Sequence, residues 1–244
     1  MGAMGVERLQ KVMAAAGICS RRQAETLLRQ GLVRVNGALA MLGDRADPAS
    51  DLITVRGQAL VARPEPLLLL VNKPPGVLCS CRDPRGRPTV LELLPAELRR
   101  GRGLHPVGRL DADSRGALLL SNRGDVTLRL SHPRYGHRKT YRVWVEGRPA
   151  AQALERWAAG VPLNGQASQP VGLKLIGQTS QATELELVMA EGRNRQIRRT
   201  AAILGHPVLD LKRWAIGSVR LGDLPEGRWR RLDPQEWQVL NCQP

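Results

Sequence analysis

The residues with the clearest chemical potential lie in one short segment, Gly108–Gly116 (GRLDADSRG). It places two carboxylates, Asp111 and Asp113, among arginines and directly before an apolar run. Such a segment can bind calcium, supply the acid pair of a glycosidase, or carry a single catalytic aspartate. The calcium interpretation fails, because Arg115 replaces an oxygen ligand and Asn122 stands where the bidentate glutamate belongs. The residues alone leave open whether Asp111 is catalytic or the acids only stabilise a turn.

A second cluster of chemical interest is the arginine-rich segment 191–199 (EGRNRQIRR). As a helix over residues 194–204, it turns Ile197 to the same side as two further apolar residues. Three arginines face roughly the other way, without acids at helical spacing to neutralise them: Arg195, Arg198 and Arg199. Such a face either binds an anion or is an ordinary amphipathic surface, and we favour the anion.

The first sixty residues predict a small α/β module. Residues 6–16 have apolar positions at helical spacing, and Ser20–Gln23 has the pattern of a capping box that begins a second helix. Residues 33–37 alternate like a strand and end in an Asn-Gly turn. Arg63–Pro66 contains two prolines and predicts a linker. We therefore expect domains at residues 1–62 and 67–244, joined by residues 63–66.

The larger region mixes strand-like and helix-like segments. Strands are predicted at 67–71, 117–120, 140–145 and 183–189, and helices at 89–94, 125–131, 150–159 and 194–204. These segments do not alternate in the βαβ rhythm of a doubly wound sheet. We therefore predict an α+β protein in which the small N-terminal module precedes a larger domain with a mixed, mainly antiparallel sheet flanked by helices.

Composition and charge narrow the class of partner. The chain has 37 basic and 22 acidic residues, a formal net charge of +15, and this excess favours a polyanion. Its four cysteines and four histidines lack the spacing of a zinc site, so we expect no metal. The longest strongly apolar run, residues 67–71, is too short for a bilayer, and the first residues do not resemble a signal peptide. We expect a cytoplasmic protein that does not associate with membranes.

The N-terminal string ERLQKVMAAAGICSRRQAETLLRQGLVRVNG closely resembles the small RNA-binding domain named after ribosomal protein S4. The resemblance includes the S-R-R start of the second helix and the V-R-V-N-G strand and turn. It implies RNA binding by this module. The candidate contacts are Lys11, Arg21, Arg22 and Asn36, which lie near helix ends and in the turn.

Further motifs, in order along the chain, resemble the pseudouridine synthases. They are N-K-P-P-G-V at 72–77, D-P-R-G-R-P-T at 83–89, G-R-L-D at 108–111, N-R-G-D at 122–125, S-H-P-R at 131–134, K-T-Y at 139–141, E-G-R-N-R-Q-I-R-R at 191–199 and G-H-P-V-L-D-L-K-R at 205–213. Within the family, the chain most resembles the B-type enzymes that modify large-subunit ribosomal RNA, in the branch related to the A-type enzyme for small-subunit RNA. It departs from the usual pattern at Ser114, Ala117 and Arg123, all peripheral to the expected catalytic residue.

The resemblance implies that uridine is isomerised to pseudouridine in ribosomal RNA, without a cofactor. Asp111 would be the catalytic carboxylate, either attacking the sugar or removing a sugar proton. Arg198 would keep Asp111 ionised, and Tyr141 would stack on the flipped base. Arg109 would fill the space that the base leaves.

Other residues would shape the pocket or contact the RNA backbone. Either Leu209 or Leu211 would form the pocket floor. The expected phosphate contacts are Lys73, Arg195, Arg199, Lys212 and Arg213. The resemblance favours large-subunit RNA as the substrate, either free or within an assembling ribosomal particle. We expect the protein to be a monomer. The alternatives are an enzyme for small-subunit RNA and a non-catalytic RNA-binding assembly factor.

Overall fold

The structure, a computed structural model, describes residues 5–60 and 64–242, without the side chain of Pro133. These residues divide into two compact units. Within the described ranges, the first comprises 5–60, 64–67, 94–105 and 121–124, and the second comprises 68–93, 106–120 and 125–242. The predicted domain boundary at residues 62 and 63 lies outside the described residues.

The first unit contains three helices and six short strands. These are β1 (Glu7–Arg8), α1 (Leu9–Ala15), α2 (Arg21–Arg29), β2 (Val33–Val35), β3 (Ala38–Leu39), β4 (Arg45–Ala46), β5 (Ile53–Val55), β6 (Gln58–Ala59) and α3 (Ala96–Arg99). An antiparallel sheet has the order β3-β2-β5-β6, and β1 pairs with β4. Leu9, Met13 and Leu28 lie in its apolar core.

Local signals in the sequence set two features of this unit. The predicted capping box is confirmed, because the Gln23 amide N–H donates to Ser20 Oγ at 3.2 Å and the Ser20 amide N–H donates to Gln23 Oε1 at 3.0 Å. Asn36 has φ +51° at the predicted turn. Its side chain donates to Asp51 at 2.9 Å and accepts from the Leu52 amide N–H at 2.9 Å, so the amide holds the turn together.

The remaining elements form or border the second unit. They are β7 (Leu68–Lys73), β8 (His105–Val107), β9 (Arg115–Ser121), α4 (Gly124–Ser131), β10 (Lys139–Glu146), α5 (Ala151–Ala159), β11 (Pro162–Leu163), β12 (Gln166–Ala167), β13 (Gly172–Gln178), β14 (Ala182–Met189), α6 (Gln196–Ile203), β15 (Val208–Ile216), β16 (Val219–Arg220), β17 (Trp229–Arg231) and α7 (Pro234–Val239). The main sheet has the order β13-β14-β10-β15-β9-β7-β17. The pairs β13–β14, β14–β10, β10–β15 and β7–β17 are antiparallel, and the pair β15–β9 is parallel. The predicted α+β fold with a mixed, mainly antiparallel sheet is confirmed.

Two predicted helices differ in the structure. Residues 89–94 were expected to be helical, but only Val90–Leu93 form a 3-10 turn, between Pro88 and Pro95. Glu92 Oε1 accepts from the amide N–H and the hydroxyl of Thr89, which closes this turn locally. The helix expected from residue 194 begins at Gln196, because Arg195 has left-handed backbone angles.

A glycine allows the parallel strands β9 and β15 to approach closely. Gly116 pairs with Arg213 in the register and has φ +108°. An ideal Cβ at this position would lie 2.3 Å from the Arg213 carbonyl oxygen. A side chain at residue 116 would therefore push β9 away from β15. The aspartate segment leads directly into β9 and would move with it.

We predict that Gly116→Ala lowers the free energy of unfolding by about 3 kcal/mol, from backbone strain plus the clash with Arg213. Gly222→Ala is the matched control, because Gly222 has φ +56° and nothing within 4 Å of its ideal Cβ. It should cost only the strain, about 1 kcal/mol. Urea unfolding measures both values, and equal costs would contradict the close-packing argument.

Candidate active site

A cavity of about 270 Å³ lies in the second unit. The segment before β9, strand β10, strand β15 and the start of α6 surround it. It brings together all four residues predicted for catalysis: Arg109, Asp111, Tyr141 and Arg198. Leu211 lines the cavity and is 5% exposed, whereas Leu209 is 57% exposed. Of the two candidate floor residues, Leu211 is therefore the one at the cavity.

Lys73 fixes the segment that carries Asp111. Its side chain is fully buried, and Nζ donates to the carbonyl oxygens of Pro74 at 2.8 Å, Ala112 at 3.3 Å and Ser114 at 2.7 Å. Burial lowers the pKa of Lys73, although electrostatic interactions with Cys79, Asp113 and Asp111 oppose this shift. The phosphate contact predicted for Lys73 is wrong for this structure, because its three donors already bind backbone carbonyls.

Arg213 also binds this segment instead of solvent. It is 4% exposed, with Nε donating to the Ala117 carbonyl at 2.6 Å and Nη1 to the Arg109 carbonyl at 3.3 Å. The phosphate contact predicted for Arg213 is therefore also corrected. Cys79 adds a third support, since its Sγ accepts from the Leu110 amide N–H at 3.2 Å.

The two aspartates have different surroundings. Arg195 donates to both carboxylate oxygens of Asp113, at 3.2 and 2.9 Å, whereas its Nη1 lies 3.8 Å from Asp111 Oδ2. Arg198 Nη2 donates to the Asp113 carbonyl at 3.0 Å, and Arg198 Nε lies 3.4 Å from Asp113 Oδ2. Arg198 was expected to pair with Asp111, but the structure pairs it with Asp113.

The charges around Asp113 favour its ionised form. Burial alone would raise the pKa of Asp113, but the hydrogen bond from Arg195 and the charges of Arg198 and Arg195 outweigh it, so the pKa lies below its usual range. Asp113 is therefore an anion that binds both arginines. The side chain of Asp111 is 26% exposed, so it remains accessible from the cavity.

Sequence reasoning missed the residues that position the start of α6. Arg195, immediately before this helix, has φ +48°, an unusual angle for a side-chain-bearing residue. The Arg193 amide N–H donates to Gln196 Oε1 at 3.0 Å, and Gln196 Nε2 donates to Glu191 Oε1 at 2.7 Å. Glu191 and Gln196 of the EGRNRQIRR string were the residues from which this turn could have been predicted. The contacts show that these two side chains close the turn before the helix.

The other predicted RNA-binding residues lie in varied surroundings. Arg199 is partly exposed and donates to Asn164 Oδ1 at 2.6 Å. The Lys212 ammonium lies 5.1 Å from the ring centroid of Trp214. In the first unit, Lys11 pairs with Glu7, and three residues are exposed: Arg21, Arg22 and Asn36.

Two properties of residues 5–60 and 64–242 bear on metal binding and on membrane insertion. Within these ranges, no three histidine, cysteine, aspartate or glutamate side chains group in a way that could hold a metal ion. In the same ranges, every helix is too short or too polar to cross a membrane.

Comparisons with known proteins agree with the motifs. The profile of the family described as RNA pseudouridylate synthase matches residues 67–202, and that of the S4 domain matches residues 7–51. Ribosomal large subunit pseudouridine synthase B of Bacillus subtilis (strain 168) is 39% identical over 240 residues, which cover 97% of this chain and 96% of the relative. The resemblances to the two families predicted from the sequence are confirmed.

Two more comparisons extend this result. The Pseudomonas aeruginosa protein of the same name is 40% identical over 242 residues, which cover 96% of this chain and 62% of that relative. A solved structure described as "Crystal structure of pseudouridylate synthase" has a TM-score of 0.69 and 31% identity. The match covers 96% of this chain and 99% of that one.

We predict that Asp113→Asn destabilises the protein at neutral pH by about 0.5 kcal/mol, since the carboxylate is partly exposed and screened. The pKa of Asp113 is lowered in the folded state, so its stabilisation is present above its unfolded pKa and is lost as pH falls through the lowered value. The difference between wild type and variant should shrink in acid. Urea unfolding across this pH range measures it, with exposed Glu155→Gln as control; a difference independent of pH would contradict the ion-pair interpretation.

Proposed function

The chain belongs to the RNA pseudouridylate synthase family, and we propose that it isomerises specific uridines to pseudouridine in large-subunit ribosomal RNA, with Asp111 as the catalytic residue. The observation that carries the proposal is the cavity where Asp111, Tyr141 and the arginines meet. The choice of large-subunit RNA follows from the relatives named for it, which match almost the full length of this chain.

The chemistry needs a carboxylate but no net gain or loss of atoms. The bond from the uracil nitrogen to the sugar breaks, the base turns, and a bond from its C5 to the same sugar carbon forms. C5 loses a proton and the nitrogen gains one, so no cofactor is needed. Asp111 would either attack the sugar or remove a sugar proton, and both routes need the ionised carboxylate. Arg195 Nη1 lies 3.8 Å from Asp111 Oδ2, which places a positive charge beside the proposed catalytic carboxylate.

The cavity suits a base that has left its stack. Its volume of about 270 Å³ is close to the lower end of small-molecule sites, about 300–1,000 Å³. Tyr141 and Leu211 supply a ring and an apolar side chain for the extruded base. Arg109 is exposed at the cavity and would fill the vacated space in the RNA.

Basic residues at the cavity and around it would hold the RNA backbone. In the second unit these are Arg195, Arg199 and Lys212, whereas Lys73 and Arg213 instead support the segment that carries Asp111. In the first unit Arg21 and Arg22 would contribute, with Lys11 beside them. We propose a cytoplasmic monomer that takes its ribosomal RNA either free or within an assembling ribosomal particle.

Asp111→Asn should bind RNA within about twofold of wild type and lose at least about 10³-fold in turnover, because the change removes the charge at nearly constant volume. The test maps pseudouridine in both ribosomal RNAs of a deletion strain that carries either form. Asp223→Asn, at an exposed position away from the cavity, is the control. A site lost only from small-subunit RNA would contradict the proposed substrate, and turnover near wild type would contradict the role of Asp111.

Tyr141 should act through its ring. Tyr141→Phe should retain most of kcat/KM, whereas Tyr141→Leu should lose about 5- to 150-fold, the equivalent of about 1–3 kcal/mol of base stacking. Tritium release from RNA labelled at uracil C5 measures the rate. An equal loss in both variants would indicate that the hydroxyl, not the ring, is required.

A further inference from the structure

A second group of arginines lies outside the cavity and has no part in the proposed reaction. The segment 94–105 (LPAELRRGRGLH), which includes α3, belongs to the first unit and carries three arginines but one glutamate. Arg99 and Arg100 are exposed, and Arg102 is partly exposed. This segment is part of the same unit as α1 and α2, although more than sixty residues separate them in the sequence.

Glycines form the contact between the segment and the turn that joins α1 to α2. Gly17 has φ +77°, and an ideal Cβ there would lie 2.5 Å from the Gly101 carbonyl oxygen and 3.1 Å from the Gly103 nitrogen. From the other side, an ideal Cβ at Gly103 would lie 3.1 Å from the Ala14 carbonyl oxygen. The two backbones therefore meet directly, with no room for a side chain at Gly17.

This contact places two sets of arginines on adjoining pieces of chain. Gly101 lies between Arg100 and Arg102, and the helix with Arg21 and Arg22 begins directly after the turn that contains Gly17. Arg21 and Arg22 are exposed. Across residues 5–60 and 64–242, no carboxylate forms a salt bridge with any arginine of these two sets.

We propose that the α1–α2 turn and segment 94–105 form one surface that binds the phosphate backbone of the substrate RNA. Unpaired guanidiniums repel one another, and phosphate oxygens match their geometry. Because no Phe, Tyr or Trp lies in segment 94–105 or in residues 14–22, we expect mainly backbone contact. The inference rests on the proposed function, because it takes ribosomal RNA as the ligand.

The first experiment replaces Arg99, Arg100 and Arg102 by alanine in the full chain. The dissociation constant for a large-subunit ribosomal RNA transcript is then measured as a function of salt. Each lost phosphate contact should reduce the slope of log affinity against log salt by about 0.7–0.9, so for three contacts we expect a reduction of about 2–3 and a loss of at least about tenfold in affinity at low salt. Turnover at saturating RNA should stay unchanged. The control replaces three exposed arginines of the second unit, which should change the slope less: Arg156, Arg220 and Arg228.

The second experiment tests the glycine contact without changing any charge. Gly17→Ala should weaken RNA binding, because a methyl group displaces the segment from the turn. Gly57→Ala is the matched control, since Gly57 has φ +79° but nothing within 4 Å of its ideal Cβ. Both variants carry the same backbone strain, and urea unfolding establishes that each is folded under the binding conditions. Only Gly17→Ala should lose affinity.

The outcomes separate this inference from the proposed function. If the arginine triple variant and its control have the same salt slope, or if Gly17→Ala and Gly57→Ala bind RNA equally, the joint surface is wrong. If the variants weaken binding to an acidic protein but leave the affinity for RNA unchanged, the assignment of RNA as the ligand is overturned. If wild type makes no pseudouridine while the variants still lose salt-dependent binding, the proposed reaction fails and the surface stands.

Discussion

The candidate active site depends on one buried ammonium group. Removing a lysine from water is costly, and the pKa of Lys73 is lowered accordingly. Three carbonyl oxygens and the nearby negative charges compensate for this cost, and two of those carbonyls belong to Ala112 and Ser114, on either side of Asp113. The cation therefore holds the backbone that follows Asp111 in one conformation. A lysine in solvent would not impose that restraint.

The sheet supplies the second restraint on the same backbone. Gly116 lets β9 lie close enough to β15 for the parallel register, and the residue opposite it is Arg213. The side chain of Arg213 then reaches the carbonyl of Arg109, at the beginning of the aspartate segment. Lys73 binds the end of the segment and Arg213 its beginning. Asp111 is thus positioned from both sides by cations that bind the protein itself.

The sequence predicted the features that depend on local pattern. The capping box at Ser20 needs only neighbouring residues, and the motifs placed Asp111, Tyr141 and Arg198 at one cavity. Burial is different, because it depends on residues distant in sequence. Lys73 and Arg213 were expected to contact phosphate. The residue type in a motif, however, does not distinguish a basic side chain that faces RNA from one that is buried against a backbone carbonyl. Strand β15 was missed for a related reason, because its polar residues interrupt the apolar run that indicates a strand.

The different arginine contacts of Asp111 and Asp113 explain how two neighbouring aspartates can differ in role. A carboxylate bound by two guanidiniums is a poor reactant, because its oxygens are occupied and its charge is neutralised. Asp113 is in that position, with Arg195 bidentate and Arg198 close by. Within the part of the chain that the structure describes, Asp111 forms one ion contact, the 3.8 Å approach of Arg195, and its side chain lines the cavity. Asp113 therefore holds Arg195 at 3.8 Å from the proposed catalytic carboxylate, beyond hydrogen-bond distance.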